Sequence, residues 1–414
     1  MMCGSYTNIV RHERSLVSVS HAPTSPVSDE DTAVGLADVA RLHALFAQVA
    51  DPRRPRGIRH QLAAVLTVMV FAVLAGARNF REAGDRVADL PAPLLRAAHT
   101  RRDPRTGELV APSGSTLRRV VEEIDVDAAD LLVCQWIADR ARRGEDDDPA
   151  TDGMWGLAMD GKVVRRSGAG NPDGNVKLFS AMRHDQAVVV AQLRVPDATT
   201  EVTQVQALLD PVDLSGAVVT GDAAHTQTDT AAYLRRRDAD YVFTLKANQP
   251  SLLDNVIAKL AAAPDPAHHL DIDHSRGRTV HRQIRATDAV GIDFPGAAQV
   301  FRIRRDVFDS GGQRISKEIV HGITSLAEAT AEAIATWVRQ HWGIENKIHW
   351  VRDMVFAEDH QNAYLGAAAH GMSLFRNLAI GLIRLAGQTQ IKRTVERIAA
   401  DRMRILPLLA ASST

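Results

Sequence analysis

Three acidic side chains stand where they could do chemistry together. Asp160 follows the apolar run 156–159 and precedes Gly161 and Lys162, and Asp222 follows the run 218–220 in the same way. Both patterns place a carboxylate at the end of a buried strand, where a turn leaves the sheet. Carboxylates at strand ends of one sheet can converge on a point and hold a hard cation such as Mg²⁺ through oxygen. Taken singly, an Asp after a strand is usually a turn or N-cap residue. The third acid, Glu345, lies in the segment 337–353, where His341, Glu345, His349 and Arg352 recur at offsets of four, four and three and so share one helical face. Trp342, Ile344, Ile348 and Trp350 flank that stripe and predict a helix packed largely against protein. A carboxylate between two histidines and an arginine is costly to bury there without a purpose.

Phosphodiester chemistry gives such a set a use. Two divalent ions held a few ångströms apart can activate a water or a 3′-hydroxyl on one side and stabilise the leaving oxygen on the other. His341 and Arg352 would turn positive charge towards phosphates. Lys246, Asn248 and Gln249 follow a strand beside the expected site; they read equally as DNA-backbone contacts, as groups that order the site loop, or as an ordinary strand-to-helix turn. Trp342 reads either as a stacking platform for an unpaired base or as core. Glu358, Asp359 and Asp353 are rival ligands close in sequence to Glu345. The glycine-rich stretch 168–174 lacks the Gly-Lys-Ser/Thr ending of a phosphate loop, and the histidines 268, 269 and 274 read as solvated side chains of a polar strand or loop.

The elements that must position these groups change character along the chain. Residues 1–33 are rich in Ser, Thr and charge, without sustained periodicity, and are expected to be a disordered tail. From 34 to 144 the apolar spacing is helical, including the run 62–77, apolar apart from Thr67 and too short to span a bilayer. The acidic stretch 145–149, closed by proline, reads as a linker. From 150 to 385 short apolar strands alternate with helical patterns, which implies an α/β sheet covered by helices. Residues 263–323 form polar alternating strands and read as a β-rich insertion, and 386–414 as a C-terminal helical extension. Within the helical region, Arg53, Arg54, Arg56 and Arg59 make a dense basic cluster ahead of residue 62, and Arg118 and Arg119 lie on a segment opened by a good capping residue.

Composition sets only outer bounds. The 414 residues, 45% of them hydrophobic, suffice for two or three domains with a sizeable core, and 49 basic against 50 acidic residues leave the whole-chain charge silent about nucleic acid. Two cysteines, Cys3 and Cys134, fit neither a disulfide framework nor a paired zinc site and suit a reducing compartment. The N-terminus has no apolar stretch of signal-peptide type. A cytoplasmic protein with no membrane association is expected.

Taken together, 160–162 (Asp-Gly-Lys), 220–223 (Thr-Gly-Asp-Ala), 246–250 (Lys-Ala-Asn-Gln-Pro), 341–346 (His-Trp-Gly-Ile-Glu-Asn), 349–350 (His-Trp) and 356–359 (Phe-Ala-Glu-Asp) resemble, in order and spacing, the DDE transposases of bacterial insertion sequences. The resemblance extends from about 42 to 385 and points to the insertion-sequence-four superfamily, in the ISAs-type branch that has a His-Trp pair before the glutamate. It implies an RNase H-like catalytic core interrupted by a β insertion and preceded by an all-helical N-terminal domain. It further implies Mg²⁺ or Mn²⁺, two ions, held by Asp160, Asp222 and Glu345. The partners it implies are double-stranded DNA, both terminal inverted repeats and target, bound by a homodimer that associates with the nucleoid. Lys162, Lys246, Asn248, Gln249, His341, Trp342, His349 and Arg352 are the expected DNA contacts. Where the wider superfamily carries Tyr, Arg and Lys around the glutamate, this chain has Val338, His341 and Arg352.

Overall fold

A computed structural model of the chain describes residues 29–143, 153–168, 174–275, 277–360 and 365–411. Most of the expected tail, the linker 145–149 and the centre of the glycine-rich stretch lie outside the described residues. Six helices come first: α1 (Asp29–Phe46), α2 (Leu62–Leu74), α3 (Phe80–Ala88), α4 (Ala92–Ala97), α5 (Gly114–Glu123) and α6 (Val126–Arg143). Every residue of α2 is buried, because a helix apolar on all sides needs protein on all sides. Its one polar side chain, Thr67, donates its hydroxyl to the carbonyl of Ala63 at 2.8 Å. Among the described residues no helix is long and apolar enough to cross a membrane.

The sheet begins with β1 (Trp155–Val163), β2 (Lys177–Arg183) and β3 (Val189–Arg194), a meander of antiparallel neighbours. The short helix α7 (Val205–Leu209) leads to β4 (Ala217–Gly221), and α8 (Thr228–Arg236) to β5 (Asp240–Leu245). β4 runs parallel to β1, and β5 parallel to β4. The order 3-2-1-4-5, with its antiparallel meander and parallel pair, is the RNase H-like arrangement. After α9 (Pro250–Ala262), four long strands follow: β6 (Ala267–Ser275), β7 (Arg278–Asp288), β8 (Gln299–Phe308) and β9 (Arg314–Thr324). They are not a separate lobe. β9 pairs antiparallel with β5, so the meander extends the same sheet to nine strands in the order β3-β2-β1-β4-β5-β9-β8-β7-β6.

The chain then crosses back over the sheet as α10 (Ala331–His341), capped by the Thr330 hydroxyl on Ala333 N–H at 3.1 Å. A π-helical segment, Ile344–His349, follows, then α11 (Trp350–Phe356). The rest is α12 (Ala368–Leu385), α13 (Ile391–Ala400) and α14 (Ile405–Ala411). α14 returns to α1, where a side chain in place of Gly35 would strike Leu406 at 2.6 Å. One hydrophobic cluster contains residues of α1 to α6, of β1 to β5 and of α12 to α14. The helices before residue 144 therefore share their core with the sheet rather than closing on one of their own.

Polar groups lock this layer. Asp130 on α6 accepts from Gln192 of β3 at 2.6 Å and shares a hydrogen bond with His370 of α12 at 2.8 Å. Deeper still, fully buried Glu358 accepts from Arg352 at 2.8 Å, Arg376 at 2.7 Å and Ser373 at 2.9 Å. Burial alone would raise the Glu358 pKa; the two guanidiniums override it and hold the carboxyl at about 2. Ala357, at a left-handed φ of 50°, ends α11 just before this residue. Removing one partner of such a set strands buried charge. Glu358→Ala should therefore cost about 3–5 kcal/mol in urea denaturation of the full chain; a loss below about 1 kcal/mol would contradict the ion cluster as an anchor of α11 on α12.

Candidate active site

Asp160 and Asp222 are brought together by strand register. The parallel pairing of β1 with β4 ends at Ala158 opposite Thr220, and each aspartate lies two residues beyond that couple, on the same face as its own strand's member of it. Asp160 does not sit at a strand end, as its sequence context suggested. β1 runs on to Val163 because β2 pairs along it, with Ser180 opposite Asp160. The aspartate stands instead where β1 parts from β4. Asp222 follows the last residue of β4, and its Oδ1 accepts the Ala224 N–H at 2.9 Å.

Glu345 reaches the pair from the π-helical segment. His349 Nδ1 lies 2.9 Å from Glu345 Oε2 and 3.5 Å from Asp160 Oδ2, and single ligand atoms of Asp160, Glu345 and His349 all fall within 4.8 Å of one another. Asp222 is outside this tightest group but close enough to act on it electrostatically. Burial is the main cause that pushes Asp160 up to about 7; a hydrogen bond from Gly161 N–H opposes it, and the charges of Glu345, Asp222 and Glu201 add to it. His349 is buried, and among the described residues its Nε2 has no hydrogen-bond partner.

Spacing gave no reason to single out Glu201, an acid of the turn before α7. Its carboxylate lies over Gly161, where a Cβ would collide with Glu201 Oε1. The glycine beside Asp160 is thus the space that a fourth acid occupies. Glu201 is itself raised by burial and then by Asp222, and His225 Nε2 stands 3.9 Å from both Glu201 and Asp222. A glycine directly after the first aspartate was the signal available in the sequence.

The helical stripe divides. An i→i+5 segment carries an extra residue per bond, and such segments recur at functional sites; here it separates residues that an uninterrupted α-helix would align. Glu345 and His349 face the acids, whereas Arg352 turns into the ion cluster with Glu358. Arg352 is completely buried and so is not a phosphate contact, and Glu358 is not a free ligand. His341 is no cation either. It shares a hydrogen bond with the Thr220 hydroxyl at 3.1 Å, which also meets His184 Nε2 at 3.0 Å, while His184 Nδ1 meets Gln340 at 3.1 Å. Burial is the main cause holding both imidazoles at about 4, and they are neutral near pH 7. Their role is to clamp the end of α10 onto β4 beside Asp222.

The other expected DNA contacts differ among themselves. Lys162 donates to Asp353 at 2.7 Å and lies 3.9 Å from Asp359, so these two acids neutralise a lysine rather than stand open as ligands. Asn248 donates to the Ala223 carbonyl at 2.8 Å and Gln249 to that of Thr226, which ties both to the loop after Asp222. The Lys246 side chain is exposed. Trp342 is 59% exposed and lines a groove of about 670 Å³ against β6 to β9. Trp350 is exposed as well, so the helix is less enclosed than its tryptophans suggested.

Comparison with known proteins decides the family. The transposase DDE domain model matches residues 151–382, and the DDE_Tnp_1-associated model matches 43–137. The chain belongs to the DDE transposase family. Similar proteins include YbfL of Escherichia coli K12, 27% identical over 88% of this chain and 96% of its own length. YncI of E. coli O157:H7, provisionally named a transposase, is 26% identical over 88% of this chain and 93% of its own. A piggyBac transposase in a synaptic complex with hairpin DNA aligns with a TM-score of 0.38 at 12% identity, covering 90% of this chain and 77% of that one. In this DDE transposase Asp160 stands on β1, Asp222 directly after β4 and Glu345 in the π-helical segment beyond the β meander.

The neutral histidines give the site an acid sensitivity of known sign. His184 is nearly fully buried and has its folded pKa lowered to about 4 from 6.5. What it contributes is complete above about pH 6.5 and is lost as pH falls towards 4, because only the unfolded chain binds the proton over that window. The stability advantage of the protein over His184→Gln, read by urea denaturation, should shrink by up to about 3 kcal/mol between those pH values; a difference independent of pH would contradict a buried neutral imidazole.

Proposed function

We propose that this transposase cuts DNA at the terminal inverted repeats of its own insertion sequence and joins the freed 3′-hydroxyl to target DNA, with Asp160, Asp222 and Glu345 as its catalytic acids. The observation that carries this reading is the approach of Glu345 and Asp160 through His349, at the point where β1 parts from β4 and Asp222 emerges. Burial first, and then the charges of Glu345, Asp222 and Glu201, push Asp160 up to about 7; the set gathers negative charge and offers the hard oxygen donors that Mg²⁺ or Mn²⁺ prefers. The residues therefore fit divalent ions, held by Asp160, Asp222 and Glu345. Two such ions, when bound, would polarise the scissile phosphate and lower the pKa of the attacking water or hydroxyl.

The chain's own residues do the positioning. His349, hydrogen-bonded to Glu345, fixes that carboxylate against Asp160; Asn248 and Gln249 hold the loop that carries Asp222; and the Thr220 clamp fixes the end of α10. In this reading Lys246 meets the DNA backbone and Trp342 stacks on a base displaced near the cut, which the exposure of both side chains supports. Action on two ends calls for a homodimer on DNA, in the cytoplasm where the nucleoid lies.

Full-length protein with Mn²⁺ and a labelled duplex carrying the element's ends provides the test. Asp160→Asn, Asp222→Asn and Glu345→Gln should each lower cleavage by about a thousand-fold or more while end binding is retained. Glu201→Gln should weaken Mn²⁺ binding, read by calorimetry without DNA, by about ten-fold, the effect of one opposite charge a few ångströms away. Undiminished cleavage by the Glu345 variant would overturn the assignment, and cleavage of any duplex without joining would replace transposition by nuclease action.

A further inference from the structure

The acid cluster is not the only concentration of charge. Six arginines line a single cleft of about 870 Å³: Arg53, Arg54, Arg56 and Arg59 from the segment between α1 and α2, Arg101 from the loop after α4, and Arg119 from α5. Glu123 is the acid on its wall. The net charge of the chain is only −1, so this excess is local.

Arg53 builds the cleft. It forms a bidentate pair with Asp51 at 2.8 and 2.7 Å and donates to the His60 carbonyl at 3.0 Å, closing the segment into an arch over a positive-φ turn at Gly57. The remaining arginines are not used in this way. Arg54, Arg56, Arg59 and Arg119 are exposed, and among the described residues none forms an ion pair. The neighbouring Arg118, by contrast, lies 3.8 Å from Glu122. Among the described residues, Arg101 Nε is buried without a hydrogen-bond partner, and so is Nδ1 of His60, a cleft residue only 8% exposed. The His60 imidazole is held below its ordinary range by burial and then by Arg101, Arg53 and Arg59, which shows that these guanidiniums crowd one buried polar group. Such convergence is repulsive unless an anion relieves it, and guanidinium forks match phosphate oxygens bidentately. The start of α5 opens on the same cleft with the hydroxyl-bearing side chains of Ser113 and Thr116.

We propose that this cleft seats the phosphate backbone of duplex DNA, so that the helical region before the catalytic sheet grips DNA independently of the acids that cut it. The inference rests on the transposase reading above. Contacts of this kind set affinity and register without reading bases, and their mark is salt dependence.

Fluorescence anisotropy of the full-length protein with a fluorescein-labelled duplex of mixed sequence, in EDTA and across a NaCl series, tests it. The triple variant Arg54→Ala, Arg56→Ala, Arg59→Ala should bind about 10- to 100-fold more weakly near physiological salt and lose about 2–3 from the slope of log affinity against log salt. Arg119→Glu, on a different element, should shift both in the same direction, and Arg118→Ala should leave both nearly unchanged. Wild-type affinity and slope in the triple variant and in Arg119→Glu would overturn the cleft while leaving the transposase reading intact. Failure of the unaltered protein to bind any duplex would overturn both.

Discussion

Carboxylates of like charge do not gather unless something else holds them, and here that something is the parallel pairing of β1 with β4. Its register sets Asp160 and Asp222 side by side on one face, and the loss of pairing just beyond Ala158 and Thr220 opens the gap between them. The cost is visible in Asp160, pushed up to about 7 chiefly by burial and further by its acidic neighbours. A rigid sheet can impose that cost because its strands are buried on both sides and cannot splay apart. Everything else in the site answers to this pair: Glu345 through His349, Glu201 over Gly161, and the neutral histidines that fasten α10 to β4.

The scaffold behind the site is correspondingly stiff. Glu358 binds Arg352 of α11 and Arg376 of α12 directly, and Arg376 reaches back to the carbonyl of Arg78 before α3 at 2.9 Å. One chain of polar contacts thus runs from the glutamate-bearing helix to the N-terminal helices, inside a hydrophobic cluster common to both. A π-helical segment interrupts the long helical crossing after α10 ends at His341. It lets Glu345 and His349 face the sheet while Arg352, a few residues on, faces the core.

Much of this was legible in the amino-acid sequence. The alternation of strands and helices gave the α/β core, the run at 62–77, apolar apart from Thr67, gave a buried helix, and the settings of Asp160, Asp222 and Glu345, with the family resemblance, singled out the acids proposed as catalytic. What escaped notice depends on contacts between distant segments. A helical wheel drawn through 341–352 assumes constant pitch, and the π segment breaks that assumption, so Arg352 was assigned to phosphate when its partner is Glu358. Lys162 looked free because Asp353, far along the chain, neutralises it. Glu201 sits in no motif, and only the space left by Gly161 places it among the acids. The shared core of helices and sheet was invisible for the same reason, since an acidic stretch closed by proline reads as a linker whatever packs on either side of it.

Anomalous scattering from crystals of the full chain equilibrated with Mn²⁺ tests the central claim most directly. The account predicts a peak bounded by Asp160, Asp222 and Glu345 that disappears in Asp160→Asn. Manganese bound elsewhere, or a peak that persists unchanged in that variant, would contradict it.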